Sequence, residues 1–273
     1  MRRDRPSYLT TKRFTQAGDF MFPYLDAFGL HIRMYYVMYA VGVVGAVLLA
    51  LLTRRLYGAT RLKAALYTVT TFVCGFLGAQ LMARIYNFSM QGAVSQGESK
   101  FAIFGGVVFL PVFFLAIALL SREKYRVVAD MMTPGFLFFL AAGKFGCFLE
   151  GCCYGVPSEH GVWSAVRGAR CFPVQLWESI CTLVVVAVVL TLAFKGGNRL
   201  KCGALYPIGV MLYCGTRFVW EFFRFYDSKD GDFFLGMTYW QLWCIVAVVC
   251  AAVWLIVLYR NPAYADCDLT TKR

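Results

Sequence analysis

Seven apolar runs, each near the ~20 residues that carry an α-helix across ~30 Å of hydrocarbon, set the architecture. They are Met34 to Leu52, Ala64 to Tyr86, Phe101 to Leu120, Val127 to Phe148, Leu176 to Phe194, Ala204 to Phe223 and Trp240 to Tyr259. A segment in lipid must satisfy its own backbone, which leaves helices or a closed barrel, and runs of this length are helical. The composition agrees: 60% of the 273 residues are hydrophobic and 15% charged, unlike a soluble domain of this size. The fold class expected is all-α, a polytopic membrane protein of about seven transmembrane helices. The fourth run carries Pro134 and Gly135 and ends in Lys144, so a break is expected within it. One transmembrane domain, 34–260, is expected between an N-terminal tail, 1–33, and a C-terminal tail, 261–273.

Basic residues orient the spans. The first-to-second, third-to-fourth and fifth-to-sixth connections carry Arg54, Arg55, Arg61, Lys63, Arg122, Lys124, Arg126, Lys195, Arg199 and Lys201 against a single acid, Glu123. These connections mark the cytoplasmic side, so the N-terminus is expected outside and the C-terminus inside. Residues 1–33 dissent, because Arg2, Arg3, Arg5, Lys12, Arg13 and Arg33 favour the cytoplasm; an eighth element or an interfacial helix on the headgroups accommodates them. The first residues lack the apolar core of a cleavable signal peptide. The net charge of +12 suits anionic headgroups, and no nucleic-acid module is recognisable.

Arg217, Glu221 and Arg224 lie four and three residues apart within the apolar stretch Ala204 to Phe225, on one face of a helix. A charge at bilayer depth costs a few kcal/mol, so these groups imply an inward-facing pocket, and two arginines imply an anion. Lys144, Glu150, Gln175, Glu178, Tyr36 and Tyr39 fall at the same, outer, helix ends. A central chamber open to the outer side and suited to a phosphate or lipid headgroup collects them. Gly143 to Gly155 places four glycines in a short stretch, where a backbone turn is expected whose bare N–H groups approach a phosphate. Cys147, Cys152 and Cys153, with Cys171 beyond a loop, leave a disulfide or a metal such as zinc open. Adjacent cysteines seldom ligate one ion together, and no metal or cofactor is assigned.

Several stretches, in order, resemble the prolipoprotein diacylglyceryl transferases of the bacterial inner membrane. Tyr35-Tyr36-Val37-Met38-Tyr39 is similar to the aromatic start of that family's first span, and Phe104-Gly105-Gly106 stands at its His-Gly-Gly turn. Gly143 to Gly155 resembles its signature, Pro173-Val174-Gln175-Leu176-Trp177-Glu178 its Pro-Ser-Gln-Leu-Tyr-Glu, and Tyr213 to Arg224 its Tyr-Gly-x-x-Arg-Phe-x-x-Glu-Phe-x-Arg. Gln241 is similar to the glutamine heading the last span.

The resemblance implies transfer of a diacylglyceryl group from phosphatidylglycerol to the lipobox cysteine of a prolipoprotein, by a monomer in the inner membrane. It implies catalytic roles for Arg217, Glu221, Lys144 and Tyr36. Substrate binding then falls to Arg224, Gly143, Gly146, Gly155, Gln175, Glu178, Gly105, Gly106 and Gln241. The arginines clamp the phosphate, Glu221 orients a guanidinium, and Gln175 and Glu178 fix the fifth helix. Phe104 stands in place of the family's histidine, Lys144 in place of an arginine and Cys147 in place of an asparagine. These departures keep two other readings open, a lipid-binding or transport protein of the same fold with no chemistry or another acceptor, and a membrane thiol-redox enzyme.

Overall fold

The computed structural model describes residues 24–27, 30–89, 100–164, 168–196, 200–225 and 236–261. All seven apolar runs are helical: α1 (Met34–Thr53), α2 (Arg61–Ser89), α3 (Lys100–Ser121), α4 (Tyr125–Glu150), α5 (Val174–Lys195), α6 (Leu205–Glu221) and α7 (Tyr239–Arg260). Among the described residues, Met34–Tyr57, Tyr125–Glu150, Val174–Lys195 and Trp240–Arg260 are long and apolar enough to cross a bilayer unaided. The protein is an all-α polytopic membrane protein.

Two short antiparallel hairpins accompany the helices. Strands β1 (Tyr24–Ala27) and β2 (Leu30–Arg33) pair with Tyr24 opposite Arg33, so the part of the tail next to α1 is a hairpin and not the expected interfacial helix. Residues 1–23 lie outside the described residues. Arg33 Nε donates to Glu150 Oε1 at 2.6 Å and pins this hairpin to the end of α4. Strands β3 (Pro157–Ser164) and β4 (Ala169–Cys171) form the second, between α4 and α5.

The expected break in α4 does not occur. Pro134 sits inside a continuous helix of 26 residues, buried like Val127 to Gly135 around it. Packing on several sides holds the helix through the missing N–H, as protein neighbours allow in membrane spans. Gly143 and Gly146 are helical too, and the turn begins only at Gly151, whose φ of 73° is open to glycine at little cost. Gly105 and Gly106 likewise fall within α3 rather than in a turn.

Glycines bring α1 against α4. A Cβ on Gly135 would lie 2.9 Å from the Ala46 carbonyl oxygen and 3.1 Å from its Cα, and one on Gly146 would lie 3.1 Å from Met38 Cβ. Opposite them, a Cβ on Gly42 would meet Phe139 and Ala142, and one on Gly45 would strike the Phe138 ring. Lipid offers no hydrophobic drive to helix pairing, so close small-residue contact of this kind supplies much of the attraction.

Asp130 ties α4 to the start of α6. Fully buried, it accepts from Gly203 N at 2.6 Å and Tyr206 N at 2.9 Å. It thereby caps backbone donors that Ala204, with no side-chain cap of its own, leaves open. The basic connections gather at this end of the bundle, where Lys63 pairs Glu123 at 2.7 Å. The starts of α1, α5 and α7 and the ends of α4 and α6 meet at the other.

Replacing Gly135 by Ala is expected to lower the stability of the detergent-solubilised protein by about 1–3 kcal/mol, because backbone atoms of α1 cannot move aside. Gly215→Ala, at an exposed α6 position with open space around it, is expected to be neutral or slightly stabilising. Thermal unfolding of the two variants side by side checks the contrast.

Candidate active site

A lone acid inside an apolar helix needs cations. Glu178, in the second turn of α5 and 3% exposed, is the most connected charged group of the bundle. Lys144 Nζ from α4 lies 2.7 Å from its Oε2. Arg217 Nη1 from α6 donates to Oε1 at 2.7 Å, and Arg224 Nη2 donates to both oxygens at 2.8 Å. Arg217 also forms a close ion pair with Glu221, one turn on, and Arg224 Nε stands 3.7 Å from the same carboxylate. Among the described residues, three cations thus face two carboxylates, a largely buried set with one net positive charge. That surplus suits an anion.

Helix α6 ends at Glu221, so Arg224 does not share its helical face as the spacing suggested. A turn carries it to an isolated antiparallel bridge with Gly155. Val156 N donates to Phe223 O at 3.0 Å, Phe225 N to Tyr154 O at 3.3 Å, and Gly155 N to Phe172 O at 3.0 Å. Segment 154–156 is therefore held between the chain after α6 and the chain before α5. A Cβ on Gly155 would come 2.6 Å from Phe223 O and 2.7 Å from Phe172 O. The glycine permits this threading, and its N–H is taken by Phe172 O.

The remaining expected residues divide. Lys144, Glu178, Arg217, Glu221 and Arg224 come together. Gln241 is buried, but its side-chain oxygen accepts from Thr238 N at 3.0 Å in a capping box at the start of α7. Its effect on the cluster is indirect, since Thr238 Oγ1 donates to Glu221 at 3.0 Å. Gln175 Nε2 donates to the Cys152 carbonyl, while its Oε1 is buried with no hydrogen-bond partner among the described residues. Tyr36, expected in the site, is 60% exposed and outside the cluster. Its neighbours Tyr35 and Tyr39 face α4 instead, their hydroxyls joined at 2.5 Å. Gly143 packs loosely, the Tyr39 ring being 4.0 Å from where its Cβ would lie. His160 is exposed on β3.

The chamber expected between these groups is filled by their own ion pairs. The space lined by Lys144, Glu178, Thr182, Tyr213, Thr216, Arg217 and Trp220 totals about 190 Å³, divided too finely to hold a water molecule. Arg217 additionally lies over the Trp240 ring, 5.6 Å from its centroid. Beside this cluster, the sulfur atoms of Cys147, Cys152 and Cys153 all lie within 4.8 Å of one another. Hydrogen bonds from Cys147 and Cys152 pull the Cys153 thiol well below its ordinary pKa, with Arg224 and Lys144 adding to the effect. Cys171 directs its thiol at Ala169 O, and Cys147, Cys152 and Cys153 are not joined by a disulfide.

Two partners escaped the sequence reading although signals for them existed. Thr238-x-x-Gln241 heads an apolar run with the spacing of a capping box. Asp130, an acid within a span, needed donors by the same logic that singled out Glu221.

The family model of the prolipoprotein diacylglyceryl transferases matches residues 23–257. The chain is 30% identical over 219 residues to phosphatidylglycerol--prolipoprotein diacylglyceryl transferase 2 of Clostridium perfringens (73% of this chain, 81% of the relative). It is 28% identical over 254 residues to the enzyme so named from Dehalococcoides mccartyi strain BAV1 (87% and 93%). It is 25% identical over 265 residues to that of Erwinia tasmaniensis (84% and 89%).

If Glu178 neutralises three cations, Glu178→Gln leaves them facing one another and is expected to cost about 3–5 kcal/mol, the loss typical of one partner leaving a buried pair. Glu150→Gln, whose partner Arg33 is 51% exposed at the side chain, is expected to cost under about 1 kcal/mol. Denaturation midpoints in the same detergent decide between them.

Proposed function

The chain belongs to the prolipoprotein diacylglyceryl transferase family, and from that premise we propose how its residues move a diacylglyceryl group from phosphatidylglycerol to the lipobox cysteine of a prolipoprotein. The cysteine sulfur attacks the glyceryl carbon that bears the phosphate ester. A carbon–sulfur bond forms and the carbon–oxygen bond breaks. The electron pair leaves with glycerol phosphate, and the thiol proton passes to the departing phosphate. The difficulty lies in the charge that grows on the phosphate as the ester departs, since a dry site has no water to stabilise it. Cations already in place, at no cost of reorganisation, are the physical remedy.

The net positive charge of the Lys144, Arg217, Arg224, Glu178 and Glu221 cluster supports this reading above all else. Arg224 takes the headgroup phosphate through its planar fork, Lys144 adds a point charge, and Arg217, held by Glu221 and Glu178, stabilises the leaving group. Lys144 and Arg224 are the cations able to turn from Glu178 to a phosphate, because Arg217 stays paired with Glu221. Gln175 Oε1, buried and lacking a donor among the described residues, suits a hydroxyl of the headgroup. Gln241 acts through the α7 cap rather than by touching substrate. The acyl tails remain in lipid.

In this reading residues 34–260 are one catalytic domain of the bacterial inner membrane, acting as a monomer. The basic connections face the cytoplasm and the charged cluster the outer leaflet, where lipobox cysteines emerge from export.

Membranes holding the full chain are expected to add one diacylglyceryl unit to a lipobox peptide when phosphatidylglycerol is supplied, read by mass spectrometry. Arg217→Ala and Arg224→Lys are expected to slow transfer by about 100-fold or more, the usual effect of losing one preorganised donor. No product with any lipobox peptide, in protein that remains folded, refutes the transferase reading.

A further inference from the structure

The three clustered cysteines have no part in the reaction as written, and their arrangement is built by the backbone. Helix α4 closes with a Schellman motif: Gly151 N donates to Phe148 O at 3.1 Å and Cys152 N to Cys147 O at 3.1 Å. In such a motif the residue after the left-handed glycine packs onto the residue five positions before it, which here sets one thiol upon another. Adjacent cysteines in an extended chain point apart. Cys153, however, has a φ of 58°, a conformation uncommon for a residue with a Cβ, and its sulfur joins the other two. Gln175 locks the loop from α5 through the Cys152 carbonyl.

We propose that Cys147, Cys152 and Cys153 form a tris-thiolate site for one thiophilic divalent cation of the zinc class, its fourth position left to the acceptor's cysteine sulfur.

Tetrahedral zinc with metal–sulfur bonds of ~2.3 Å needs sulfurs about 3.8 Å apart, which a set already within 4.8 Å reaches by side-chain rotation. Closed structural sites use four protein ligands, whereas catalytic ones use three and keep a position open. Three is the number gathered among the described residues, and the cluster grades from buried Cys147 to exposed Cys153, so the open position is accessible. Charge selects the ion. Three thiolates with a divalent cation carry one negative charge, whereas a monovalent ion would leave two. Arg224 is bridged to Gly155, two residues beyond Cys153, so the two clusters adjoin.

Resting on the transferase reading, the site supplies what Phe104 removes. A thiol that binds the cation gives its proton to water and remains as thiolate. That sulfur forms the new bond to the glyceryl carbon while the ester oxygen departs with its electron pair toward the arginines. No imidazole base is required.

The test uses the full chain in detergent under reducing conditions, with zinc counted by elemental analysis and cobalt(II) as the spectroscopic probe. One ion per chain and sulfur-to-cobalt charge-transfer absorption are expected. Cys147→Ser, Cys152→Ser and Cys153→Ser are each expected to weaken cobalt binding by at least the ~10–100-fold that loss of an outer-shell partner costs. Cys250→Ser, on the exposed surface of α7, should leave it unchanged. A lipobox peptide added to the unmutated protein should alter the cobalt spectrum, and its Cys→Ser analogue should not. Fully reduced protein that binds no stoichiometric ion, two of the three sulfurs joined as a disulfide in protein isolated from membranes, or a spectrum indifferent to the peptide would each overturn the proposal. The two readings fail separately. A cobalt spectrum that answers to the cysteine peptide, in protein that makes no lipidated product, sinks the transferase reading alone, while full transfer by all three serine variants sinks the metal site alone.

Discussion

The carboxylate of Glu178 is the group on which the buried ion cluster depends. Lys144, Arg217 and Arg224 come from α4, α6 and the turn beyond α6, and each touches that one carboxylate. Without it, three cations would share a largely buried space with Glu221 as their remaining carboxylate among the described residues. With it, the cations are fixed before any substrate arrives. Positioning and stabilisation therefore come from the same contacts. Glu221 completes the arrangement by holding Arg217 from within α6, and Thr238 anchors Glu221 to the cap of α7.

The scaffold explains why those contacts have fixed geometry. Gly135, Gly42, Gly45 and Gly146 let α1 and α4 approach to backbone distance, which places Lys144 on a helix that cannot slide. Asp130 holds α4 to the start of α6 at the opposite end. Helix α6 is thus held at its start by Asp130 and at its end by the bridge between Arg224 and Gly155. Any drift of Arg217 must break one of these.

Apolar length was enough to read the spans, because a 20-residue run in lipid has few alternatives to a helix. Propensity misled where packing overrode it: Pro134 and Gly143 to Gly146 read as a break and a turn, yet α4 runs as one continuous helix through both. The hairpin at Tyr24 to Arg33 went unread because the basic residues before it, Arg2 to Arg13, resemble a headgroup-binding tail, while the feature that fixes it, the Arg33 to Glu150 contact, spans more than a hundred residues. The arginines were legible from charge in an apolar run. Their partner was assigned a lesser role, since nothing local shows that Glu178 collects cations from three elements. Tyr36 took its expected role from the family resemblance, and helical phase leaves it exposed while Tyr35 and Tyr39 meet at their hydroxyls.

A cluster held this tightly also sets the terms on which a phosphate can enter. The space between the groups admits no water, so a headgroup must displace existing contacts. A phosphodiester brings one negative charge, the amount needed to neutralise the cluster's surplus. It can therefore take hydrogen bonds from Arg224 or Lys144 while Glu178 keeps Arg217, and no carboxylate need be protonated for it to bind. A neutral headgroup would break the same ion pairs and return nothing for them. Discrimination against neutral ligands follows from this exchange, before the shape of the site is considered at all. Once the ester breaks, the product phosphate gains further charge where the cations already stand, so the contacts that admit the substrate strengthen as it reacts, as transition-state stabilisation requires.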